Sequence, residues 1–180
     1  SPLRDVYKRQ RRMREFFQCD FDYAGGQCDS MVPDAEVLCT AAEVFEALQL
    51  DVVIRVNHRL ILDGLFSAVG VPATLLRPIS SAVDKLDKLP WPEVQKEMVE
   101  KGLDIKVATK LGEYLQRDQE TDTASKLVAL TSDPLLLKNM DIQKGVEEMR
   151  MLMQYLKAYG IVECVQFCLL YTSLSGLARQ

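Results

Sequence analysis

The chain contains a single histidine in 180 residues, and its five cysteines include no CxxC pair. Zinc sites draw on Cys and His at short, regular spacings, so Cys19, Cys28, Cys39, Cys164 and Cys168 form no zinc pattern and no metal ligand is assigned. Their odd number and irregular intervals fit the reduced thiols of a cytosolic, cytoplasmic protein better than a disulfide framework. No apolar run approaches the roughly 18 residues that span a bilayer, so no transmembrane helix and no membrane partner are expected. The charged N-terminus is followed by no apolar core, as a secretory signal would require. Positive charge is not in excess either. Against 26 Asp and Glu there are 22 Lys and Arg, a net charge of −4, which excludes a general nucleic-acid coat and confines any RNA contact to a local surface. No internal repeat is visible. What is present, 48% apolar and 27% charged residues, supports a buried core in one ordinary domain or one and a half small ones.

One stretch stands out from this average background. From Phe17 to Tyr23 the apolar side chains Phe17, Cys19, Phe21 and Tyr23 share one parity, and Gln18, Asp20 and Asp22 share the other. That alternation predicts a strand with one packed face and one polar face. A solvated outer face is the commoner outcome. The alternative is a binding face, because an amide and two carboxylates preceded by Arg12 and Arg14 could receive a polar, positively charged ligand.

Beyond a polar loop at 25–30, Pro33 and Asp34 open a helix that the spacing of Val37, Leu38, Ala41, Val44, Phe45 and Leu48 extends from Ala35 to Leu48. Val52, Ile54 and Val56 alternate as a strand, a helix follows over Arg59–Val69, and Gly70 caps it before Pro72. This is the start of an α+β unit. From Pro78 the pattern becomes helical. Ser81 and Asp84 have capping-box spacing ahead of Val83, Leu86 and Leu89. Pro92 suits the first turn of a helix over Glu93–Lys101, stopped by Gly102. Ile105, Ala108, Leu111 and Leu115 mark the next helix, and Ala124, Leu127 and Val128 a short one. The longest runs from Asp141 to Tyr159, with Ile142, Val146, Met149, Leu152, Leu156 and Tyr159 on one face and Gly160 behind it. Ile161–Phe167 then reads as a return strand.

The literal strings say more than the periodicities. Arg12-Met13-Arg14-Glu15-Phe16-Phe17-Gln18-Cys19-Asp20-Phe21-Asp22-Tyr23-Ala24-Gly25 resembles the second half of motif 2 of a class II aminoacyl-tRNA synthetase, in its eukaryotic-type histidyl form. Met31–Glu36, Val56–Arg59, Ile61–Gly64 and Ser80–Lys88 agree with that family in order and spacing. The resemblance runs from about residue 12 to about residue 167. It implies a partial class II antiparallel-sheet core over 11–78, an all-helical insertion domain over 79–160 and a return strand over 161–167. Residues 1–10 and 168–180 match nothing in the family and look like translated adapter sequence or disordered ends, so the chain is expected to be an internal piece of a longer enzyme. The family's other motifs, which build the dimer and complete the ATP site, are absent, and Arg179 is not promoted to their arginine.

By resemblance, Arg12 and Arg14 lie beside the phosphates of ATP, which the family uses with Mg²⁺. Gln18 holds the amino end of substrate histidine, and Asp22 meets its imidazole. The chemistry is consistent: a guanidinium fork suits phosphate, and a carboxylate left unpaired by an apolar amino acid rejects it. The implied enzyme is a homodimer that forms histidyl-adenylate and transfers histidine to tRNA(His), whose acceptor arm the insertion approaches. The rival function is an inactive synthetase-like module that senses tRNA. His58, between Asn57 and Arg59, has no triad partner and is expected in a turn or cap. Lys85, Lys88, Lys96, Lys101, Lys106 and Lys110 alternate with acids and predict solvated helix faces. Met149, Met151 and Met153 are expected in core and helix surface.

Overall fold

The computed structural model describes residues 20–26, 28–117 and 122–169. The first helix, α1 (Val32–Ala47), leads to strand β1 (Ile54–Val56) and helix α2 (Arg59–Val69). A 3-10 turn at Ala73–Leu75, α3 (Leu76–Val83) and a second 3-10 turn at Asp84–Asp87 follow. Then come α4 (Trp91–Glu100), α5 (Ile105–Arg117), α6 (Thr123–Ser132) and α7 (Met140–Tyr159). A 3-10 turn at Val162–Cys164 delivers the chain to β2 (Val165–Phe167).

Local chemistry accounts for most of the boundaries. Pro33 lies in the first turn of α1, where a missing N–H costs no intrahelical bond, and Asp34 meets the positive end of the helix dipole. Helix α2 ends at Gly70, φ 97°, and Val71 N–H donates to Phe66 O at 2.9 Å, a closure that favours glycine in the left-handed position. Helix α7 starts under Asn139, whose Oδ1 accepts from Asp141 N–H at 3.0 Å and Ile142 N–H at 3.2 Å.

The two strands are parallel, with Ile54 opposite Val165, Arg55 opposite Gln166 and Val56 opposite Phe167. This corrects the expectation of an antiparallel core sheet: the sheet among the described residues is two-stranded and parallel. A parallel pair needs a crossover, and here everything from α2 to α7 serves as one. Nor do the described residues Asp20–Tyr23 form a strand. Phe21 stays 56% exposed there and Tyr23 40%, so the alternating apolar face is not packed as a strand face would be.

Helices α2 and α7 make the central contact, with α1 against α7, α5 against α2, and α6 bridging α7 and β2. Their approach depends on two glycines. A Cβ on Gly64 would lie 2.6 Å from Ile142 Cγ1, and one on Gly145 would lie 2.7 Å from Ile61 Cγ1. Ile61, Leu65, Phe66, Met149 and Leu156 are fully buried around this crossing, each worth about 1.5–3 kcal/mol of burial. The buried cluster runs without a break from Ala35 to Leu169, across position 78.

Four local expectations are corrected. Ser81 lies inside α3 and does not start a helix; Asp84 follows the last turn, so the capping-box spacing there is coincidental. Tyr159 stays 46% exposed because it ends α7 beyond the reach of α2. The return strand begins at Val165, since Val162–Cys164 still coil. Val37, Val44 and Leu48 remain exposed, while Ala35 and Leu38 face the core.

Candidate functional site

Asp22 lies on an exposed, extended stretch leading into α1. Arg12, Arg14 and Gln18 lie outside the described residues. The turn after Asp22 is held locally. The Tyr23 ring covers Gly25, with Cε1 3.1 Å from where a Cβ would stand, and Cys28 Sγ donates to Gly26 O at 3.5 Å. The Tyr23 hydroxyl is pushed up in pKa chiefly by the neighbouring Cys28 and by Glu36. Met31, at φ 65°, then sets the direction in which α1 leaves. Asp22 is thus presented to solvent ahead of a locally closed turn.

Behind this segment, the carboxyl ends of β1 and β2 are tied together. Cys168 N–H donates to Val56 O at 2.9 Å, and Asn57 Nδ2 donates to Leu169 O at 3.0 Å. His58 occupies the N-cap position of α2, but its side chain caps nothing, which corrects half of the expectation for it. Its carbonyl accepts from Ile61 and Leu62 N–H, while Nε2 lies 2.9 Å from Glu148 Oε2 of α7. The imidazole is therefore a bridge between α2 and α7, packed over Gly145. Among the described residues no hydroxyl or thiol nucleophile is in hydrogen-bond contact with it.

The lysines divide. Lys85 and Lys101 both reach Glu97 Oε1, each at 2.7 Å, and the two ammonium groups hold the Glu97 carboxyl below its ordinary pKa. Lys101 also donates to Pro78 O at 3.0 Å, fastening α4 to α3. Lys96 and Glu100 are a loose, exposed i,i+4 pair at 3.9 Å.

Sequence reasoning passed over Lys126. It is 8% exposed and donates from Nζ to Phe167 O at 3.2 Å, while Thr123 Oγ1 accepts from Phe167 N–H at 3.0 Å. The first turn of α6 thereby occupies the edge of β2 that β1 leaves open. A signal was present, since Lys126 falls in register with the buried Leu127 and Leu130. Nothing comparable marks His58 and Glu148, which are ninety positions apart in sequence. Among the described residues no group of three or more His, Cys, Asp or Glu converges as a metal site, and no helix is long and apolar enough to cross a membrane.

The collinear strings and this fold can be set against known proteins. No family model matches the chain. The histidine–tRNA ligase of Danio rerio is 45% identical over 170 residues, covering 90% of this chain and 32% of that protein. The chain is homologous to one third of a histidine–tRNA ligase. The human mitochondrial ligase is 43% identical over 160 residues, 88% of this chain and 31% of its own length, and the cytoplasmic ligase of Takifugu rubripes is 42% identical over 170 residues, 90% and 32%. In three dimensions the chain matches the crystal structure of histidyl-tRNA synthetase from Nostoc sp. PCC 7120 at TM-score 0.71. That match covers 80% of this chain and 33% of the other at 23% identity, a likeness of fold. A structure described as an ATP phosphoribosyltransferase regulatory subunit/histidyl-tRNA synthetase from Bacillus halodurans shares the fold at TM-score 0.63 and 14% identity, over 81% and 36% of the two chains. The chain thus spans about a third of the length of the ligases it matches, and its relatives include both cytoplasmic and mitochondrial forms.

Proposed function

We propose that this chain is a working part of a cytoplasmic histidine–tRNA ligase, comprising part of its class II catalytic core and its helical insertion. The observation that carries the reading is the 45% identity sustained over 170 residues, far longer than any single motif. In the whole enzyme, Arg12 and Arg14 would bind the ATP phosphates, and Mg²⁺ would neutralise charge there, arriving on the nucleotide. The guanidinium forks suit that task because each can donate two parallel hydrogen bonds to phosphate. Gln18 would hold the amino group of histidine and Asp22 its imidazole. The exposure of Asp22 supports this, since its side chain is open to a ligand. The helical stretch 79–160 would approach the acceptor arm of tRNA(His), and the complete protein would be a homodimer.

Replacing the matched third of the Danio rerio ligase with residues 12–167 of this chain tests the reading. The chimera should catalyse histidine-dependent ATP–pyrophosphate exchange, and the 180-residue chain alone should not. Asp22→Ala in the chimera should raise the KM for histidine at least ten-fold with a smaller effect on the KM for ATP. A folded chimera without exchange, or exchange by the chain alone, contradicts the proposal. The regulatory description of the Bacillus halodurans relative favours one alternative, a non-catalytic module on the same fold. It predicts a folded chimera that binds tRNA(His) but forms no adenylate.

A further inference from the structure

We draw no further inference here: the strongest candidate, the open depression of about 350 Å³ between α6 and α7 lined by Leu127, Val128, Arg150, Met153 and Val162, is an apolar face with one charged side chain in its lining, and nothing in the structure shows what covers it.

Discussion

Substituting Gly64 with alanine sets two effects of known sign against each other at the crossing of α2 and α7. In an exposed helix interior the change stabilises by about 1 kcal/mol, because glycine gives up more backbone freedom. Here the added methyl would stand 2.6 Å from Ile142 Cγ1, 2.9 Å from Asn139 Oδ1 and 3.2 Å from Ile142 N. Two of those atoms belong to the first turn of α7, and none is the free end of a long side chain. Relief therefore requires the helices to separate by most of an ångström, and overpacking of that kind costs roughly 1–3 kcal/mol. The same movement loosens Asn139, which donates to Gly64 O at 3.2 Å and caps α7 through Oδ1. Losing a cap adds about 1 kcal/mol. The expected net effect is a destabilisation of about 2 kcal/mol, read as a lower urea midpoint with unchanged slope, and as a Tm lowered by roughly 4–8 °C. A variant as stable as the parent, or more stable, would show that helix propensity outweighs the crossing and that the close approach has been overvalued.

Gly112→Ala should expel the Trp91 indole, which lies against Gly112 between α4 and α5. Since the chain has one tryptophan, its fluorescence should shift to the red, and an unshifted spectrum counts against the packing described for α4. Glu97→Gln should flatten the acid limb of the stability–pH profile. The carboxyl's pKa is lowered on folding by hydrogen bonds from Lys101 and Lys85, so its contribution is complete above the ordinary value of 4.5 and disappears as pH falls through the folded one. Denaturant midpoints of parent and variant should therefore differ at neutral pH and converge in acid, and parallel profiles would contradict the assignment.

Where the physics is local, these elements could be read from residues alone. Arg59–Val69 ends where its apolar spacing and Gly70 say it must, and Met140–Tyr159 ends at Gly160 for the same reason. Pro92 marks the first turn of α4 because a helix start can spare an N–H. The failures are equally particular. Ser81 and Asp84 satisfy a spacing rule that says nothing of what precedes Ser81, and Leu76 had already begun the helix. Alternation at Val52–Val56 predicts a strand without its partner, which is 111 positions later and parallel. Of the candidate site, Asp22 was legible as a polar, outward residue. The local turn behind it, where the Tyr23 ring covers Gly25 and Cys28 Sγ donates to Gly26 O, was not, because no spacing rule records it.

Composition, helix spacing and a run of collinear strings were enough to indicate the resemblance to histidine–tRNA ligases and the order of helices, since each is written in neighbouring positions. Only the tertiary structure could decide that α2 and α7 cross on Gly64 and Gly145, that His58 meets Glu148, that Lys126 seals the edge of β2, and that one apolar stripe of α1 is left uncovered. Those features arise where surfaces distant in the chain meet. Periodicity records that a face is apolar, but not which surface it packs against.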